Sequence, residues 1–127
     1  MDTLFGEYFR QLRAKTGLSL RSFSEKNGFD AGNISRLERG VFLPPESDSK
    51  IREYARALGL REGGTEWIEF FDKAAASRGQ LPRDLQSEET LLRSLPSLFR
   101  TIRGNKVTPE ALDGIIELVR ASNSYGE

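Results

Sequence analysis

The chain has 127 residues with no cysteine and no histidine, and its 19 Lys and Arg balance 19 Asp and Glu. That length suits one domain, or a small domain with an appendage. The missing cysteines exclude a disulfide scaffold and a thiolate metal site, and the missing histidines remove the commonest general base and transition-metal ligand, leaving only carboxylates for such work. Residues 1–60 carry a net +2 and residues 61–127 a net −2, a weaker asymmetry than a strongly basic nucleic-acid protein shows. No apolar run approaches the length of a membrane span, and MDTLFGEYFR lacks the basic-then-apolar order of a signal peptide. The expectation is a cytoplasmic protein with no membrane partner, no metal and no cofactor.

Apolar residues recur at helical spacing throughout, and no stretch alternates with period two for long enough to predict a strand, so the predicted fold class is all-α. Leu4, Phe5, Tyr8, Phe9 and Leu12 form one stripe, and Gly17 closes that first helix. Ser19 is a good N-cap for a second helix, LRSFSEKN, which stops at Gly28. Asp30 is a good N-cap for a third, AGNISRLER, which stops at Gly40. The loop FLPPESD forbids a helix through Pro44 and Pro45 and allows one to begin just after them. That fourth helix, SKIREYARAL, places Ile51, Tyr54, Ala55 and Leu58 on one face and ends at Gly59.

The stretch REGGTE, 61–66, is the best hinge candidate and predicts a division into residues 1–64 and 65–127. Thr65 is the expected cap of EWIEFFDKAAAS, which ends at Gly79. Its apolar face of Trp67, Ile68, Phe70 and Phe71 suits a core, or an interface, where aromatics are enriched. QLPRDLQ reads as extended or turn-like. Ser87 is the expected cap of EETLLRSL, which Pro96 interrupts; PSLFRTIR then restarts with Pro96 at its first position and closes at Gly104. Thr108 as cap, Pro109 at the first helical position and Val107 stapled onto Leu112 start the last helix, whose stripe is Leu112, Ile115, Ile116 and Val119.

Two short helices joined by a tight Gly-Phe-Asp turn, with one helix before and one after, have the layout of a helix-turn-helix. LRAKTGLS ahead of the second helix, Phe23 within it, GFD in the turn, ISRLERG closing the third helix and YARALGL closing the segment together resemble the XRE-type family of phage Cro and repressor proteins, over roughly half the chain. The resemblance implies an N-terminal five-helix, lambda-repressor-like helix-turn-helix domain with a helical C-terminal extension. It also implies a DNA-binding transcriptional regulator: a repressor that binds double-stranded DNA as a homodimer on a palindromic operator.

Ile34 and Leu37, three apart, anchor the third helix inward and leave Ala31, Gly32, Asn33, Ser35, Arg36 and Arg39 more outward. A recognition helix presents its N-terminal residues to base edges in the major groove. By the resemblance, base reading falls on Ala31, Gly32, Asn33 and Arg36. Ala31 offers a methyl and Gly32 only close approach. Asn33 can pair with adenine and Arg36 with guanine, each for about 1–3 kcal/mol of discrimination. Phosphate binding falls on Ser19, Leu20 and Arg21 at the start of the second helix, and on Arg39. Leu20 stands where many relatives have a glutamine, so a side-chain donor is lost there. Arg13 and Glu38 occupy the places of an ion pair common in the family, which implies a structural link that fixes the angle between the first and third helices.

Residues 65–127 are expected to supply the dimer contact or to bind a protein partner. Arg93, Arg100, Arg103 and Lys106 could form a basic face, but Glu88, Glu89 and Glu110 make it a mixed, solvated surface. An autoproteolytic repressor needs a nucleophile and base in a β-rich domain, and a conventional hydrolase needs a nucleophile motif. This helical tail offers neither, so no enzyme is expected. The alternative to a repressor is an antitoxin-like or other protein-interaction module whose helix-turn-helix is secondary. Salt-dependent DNA binding separates the two.

Overall fold

The computed structural model describes residues 4–125 and is all-helical over them. In chain order come α1 (Phe5–Lys15), α2 (Leu20–Asn27), α3 (Ala31–Glu38), α4 (Asp48–Ala57), α5 (Thr65–Ser77), a single 3-10 turn (Arg83–Leu85), α6 (Glu89–Ile102) and α7 (Pro109–Tyr125). The chain divides into two units, the first ending at Gln86 and the second beginning at Ser87.

The first unit is organised around one ring. Phe9 of α1 is fully buried. Its centroid lies 5.9 Å from Phe23 of α2 and 5.5 Å from Tyr54 of α4, both nearly edge-to-face, and 6.0 Å from Phe70 of α5. Such contacts add to the area term, because the positive edge of one ring meets the negative face of the next. Around it lie Phe5 and Leu12 of α1, Ile34 and Leu37 of α3, Ile51 and Ala55 of α4, and Trp67 and Ala74 of α5, all buried. The stripe predicted for α1 is thus the spine of the core, apart from Leu4, which is exposed.

Two glycines shape the frame. Gly28 has φ +72°, a conformation that costs a side-chain-bearing residue strain, and it turns the chain from α2 into α3. The N–H of Phe29 then donates to the Ser24 carbonyl at 2.8 Å. Gly6 serves closeness instead. A Cβ there would lie 2.5 Å from the Leu37 oxygen and 2.7 Å from the Glu38 oxygen, so α1 and α3 meet backbone to backbone.

The structure moves the predicted division at residue 64. α5 does not open a separate region: Phe70 is fully buried and stacks on Phe5 at 4.8 Å. Four helices alone would leave Phe5 and Phe9 uncovered, and the Trp67–Phe70 face of α5 closes that gap. Ile68 stays exposed and Phe71 is half-buried. Thr65 is the first helical residue of α5, with Gly64 as its N-cap, because the preceding turn brings the Gly64 backbone against Arg61. QLPRDLQ contains the 3-10 turn.

In the second unit α6 runs without a break through Pro96, where an interruption was expected. A proline removes one i→i−4 donor and crowds the Leu92 carbonyl. The solvated helix absorbs this, and the backbone bonds resume on the far side. Glu88 rather than Ser87 is the N-cap of α6, since Ser87 belongs to the turn that precedes it. α7 starts as expected, with the Thr108 hydroxyl accepting from the Ala111 N–H at 3.2 Å. No residue of α6 is buried, and the described side chains of α7 are all exposed.

Candidate nucleic-acid interface

α3 is short, and its register is set at both ends. The Asp30 carboxylate accepts from the Asn33 N–H at 2.9 Å, satisfying one of the helix's orphan donors. Inward, Ile34 and Leu37 are buried. With those two fixed, a helix of this pitch must turn Gly32, Asn33 and Arg36 outward together, since Arg36 stands four residues from Gly32 and three from Asn33. All three are exposed, and Ala31 beside them is half-buried. The four residues assigned to base reading therefore occupy the first two turns of one helix, around a single outward face.

The side chains on that face are not independent. Arg36 Nη1 approaches Asn33 Oδ1 at 3.4 Å. The Arg36 guanidinium carbon lies 5.6 Å from the centre of the Phe42 ring, which projects from the loop after α3. At the end of the helix Arg39 is the C-cap, and its Nε donates to Ser35 Oγ at 3.2 Å.

The start of α2 supplies the other assigned positions. Ser19 is its N-cap, with Oγ accepting from the Ser22 N–H at 3.1 Å. The N–H groups of Leu20 and Arg21 fall in the first turn, where no intrahelical acceptor exists. Leu20 turns its side chain partly onto the core, so only its backbone is available to an anion, while Arg21 is exposed. Arg21, Lys26, Arg36 and Arg39 have no carboxylate partner among the described residues. Set against the exposed carboxylates of Glu25 and Asp30 on the same two helices, these four cations leave a positive excess of about two charges.

Behind the face, Arg13 and Glu38 join α1 to α3. Arg13 Nε donates to Glu38 Oε2 at 2.7 Å and Nη2 to Oε1 at 3.0 Å, a bidentate pair. Nη1 donates to the Leu18 carbonyl at 3.1 Å, in the loop before α2. The hydrogen bond that Arg13 donates to Glu38 raises the Arg13 pKa against the opposing effect of burial. One guanidinium thus ties together α1, the entry to α2 and the end of α3.

Three residues outside the sequence-based assignment also shape this surface. Gly6 sets the α1–α3 distance. Phe29, in the turn, packs its ring 5.1 Å from Tyr54 and 5.9 Å from Phe23, seating the turn on the core. Phe42 reaches Arg36. A glycine inside an apolar helical stripe was the available signal for Gly6, and an aromatic at the loop's centre was the one for Phe42.

No curated protein and no solved structure matches the chain. Residues 4–67 match the family described as Helix-turn-helix domain, a span of just over half the chain that runs from the start of α1 into α5 and includes both helices and the turn of the site. The chain belongs to the helix-turn-helix domain family.

Proposed function

We propose that this protein is a sequence-specific DNA-binding transcriptional regulator, a repressor that acts as a homodimer on a palindromic operator. The observation that carries the reading is the outward face of α3, where Asn33 and Arg36 stand exposed on a helix fixed from behind by Ile34, Leu37 and the Arg13–Glu38 pair. Asn33 and Arg36 make the directional base contacts, Ala31 adds a methyl and Gly32 allows close approach. Arg39, Arg21 and the N–H groups at the start of α2 hold phosphates. The two-fold operator follows from pairing two such units about one DNA turn apart.

The dimer contact lies in α6 and α7. α5 is spent on the core of the first unit, so the region 65–127 narrows to residues beyond Ser87. There Leu98, Phe99, Ile102, Ile115, Ile116 and Val119 are 39–56% exposed, a set of apolar side chains that a partner copy would cover. The same surface supports the second reading, a module whose main partner is another protein.

DNA sequence selection with purified full-length chain, followed by affinity measurements across a salt series, tests the proposal. Arg36→Ala should lose about 1–3 kcal/mol per half-site and relax preference at one base position. Arg39→Ala should weaken binding to all sequences alike and reduce the salt slope by about one unit. Equal wild-type affinity for selected and scrambled DNA would hand the function to the protein-partner reading.

A further inference from the structure

The base-reading arginine rests on an aromatic residue that no helix of the motif contributes. We infer that Phe42 is a positioning residue for Arg36: its ring holds the guanidinium over the outer face of α3, and so helps set which base the protein prefers. This inference rests on the DNA-reading proposal above.

Four observations converge on it. The Arg36 guanidinium carbon sits 5.6 Å from the Phe42 ring centre, within cation–π reach. The loop that carries the ring is pinned to the residue it serves: the N–H groups of Val41 and Phe42 both donate to the Arg36 carbonyl, at 2.8 and 3.2 Å. Gly40, at φ +75°, makes the turn that allows this. The guanidinium also occupies space that a side chain at position 32 would contest, since a Cβ on Gly32 would lie 3.2 Å from Arg36 Nη1 and 3.1 Å from Asp30 Oδ1. Gly32 thus keeps open the place where the Arg36 head lies, and Asn33 Oδ1 marks one end of it at 3.4 Å.

Phe42 itself is 45% exposed and takes no part in the core cluster. Replacing it should leave the fold standing, which separates a positioning role from a structural one. A free arginine on a helix surface samples many rotamers and must surrender that freedom on meeting a base, whereas one already laid against a ring surrenders less. The guanidinium edge remains available for the two hydrogen bonds that guanine accepts.

The test uses the full chain as wild type, Phe42→Leu, Phe42→Tyr, Arg36→Ala and the double variant Phe42→Leu/Arg36→Ala. Each is measured against the selected operator, its single-base variants and scrambled DNA. In the DNA-free proteins, the NMR shifts of the Arg36 side-chain protons report stacking directly. Phe42→Leu should abolish the ring-current shift and lower operator affinity about two- to fivefold, the range expected of an exposed cation–π contact. The loss should fall on the base position read by Arg36, with scrambled-DNA affinity and salt slope unchanged. Phe42→Tyr should restore both signals, and Phe42→Leu should cost nothing further in the Arg36→Ala background. The inference is overturned if wild type shows no ring-current shift on Arg36, or if Phe42→Leu weakens operator and scrambled DNA alike. A full loss in the Arg36→Ala background would also overturn it, since the ring would then touch DNA itself. A clear ring-current shift in a wild type that selects no DNA sequence would instead refute the DNA-reading proposal, and with it any role of Phe42 in base preference.

Discussion

Removing Arg13 should be the most costly single change of a charged residue in the first unit. The Arg13 and Glu38 side chains are only 13% and 6% exposed, and Arg13 makes three hydrogen bonds, two to the carboxylate and one to the Leu18 carbonyl. Arg13→Ala strands the Glu38 carboxylate in a place water barely reaches. Breaking a buried pair in this way costs roughly 3–5 kcal/mol. Arg13 retains some contact with solvent, so about 3 kcal/mol is expected. Arg10→Ala, on the exposed side of the same helix, should change stability by under about 0.5 kcal/mol. The assay is urea unfolding of both variants and wild type, compared at equal slope. In a double-mutant cycle, Arg13→Ala/Glu38→Ala should cost clearly less than the sum of the single changes, because the second removes the charge that the first left stranded. Equal midpoints for Arg13→Ala and Arg10→Ala, or strictly additive costs, would refute the reasoning.

The same substitution should act with opposite sign at two glycines. Gly6→Ala sets a methyl against the Leu37 and Glu38 carbonyl oxygens and should destabilise by about 1–3 kcal/mol or more, whereas Gly114→Ala, with open space around it in α7, should gain up to about 1 kcal/mol of helix propensity; thermal unfolding followed by circular dichroism reads both. In light scattering at tens of micromolar the wild type should be a dimer, and Phe99→Glu/Ile116→Glu should be a monomer with its helix content intact, since both side chains are about half exposed in the single chain; a monomeric wild type would count against the α6–α7 contact.

The helices were legible because their signals are local. Ser19, Asp30 and Thr108 cap as their chemistry predicts, and the Phe5–Leu12 stripe faces inward as its spacing requires. The division at residue 64 was misplaced for a non-local reason. REGGTE is a turn between two helices that share a core, and glycines alone do not say whether a turn joins packed elements or separate ones. Only the fit of Phe70 onto Phe5 and Phe9 decides that. Pro96 misled because a proline's effect depends on whether its helix can spare one backbone donor, which periodicity does not report. On the outer surface of α3, the spacing of Ile34 and Leu37 was enough to turn Asn33 and Arg36 outward. The contact between Phe42 and Arg36 was not legible, since it depends on the path of a loop that no pattern specifies.

The single ring at the centre of the first unit also governs how that unit comes apart. Phe9 is shared by α1, α2, α4 and α5, so peeling away any of the last three wets the same side chain and withdraws support from the other two. There are no independent halves to melt in turn, and the transition is expected to be all-or-none. The first helix of the helix-turn-helix, α2, and α5, which leads out toward residue 87, therefore share one fate, and protection from hydrogen exchange should be nearly uniform across the buried amides of both.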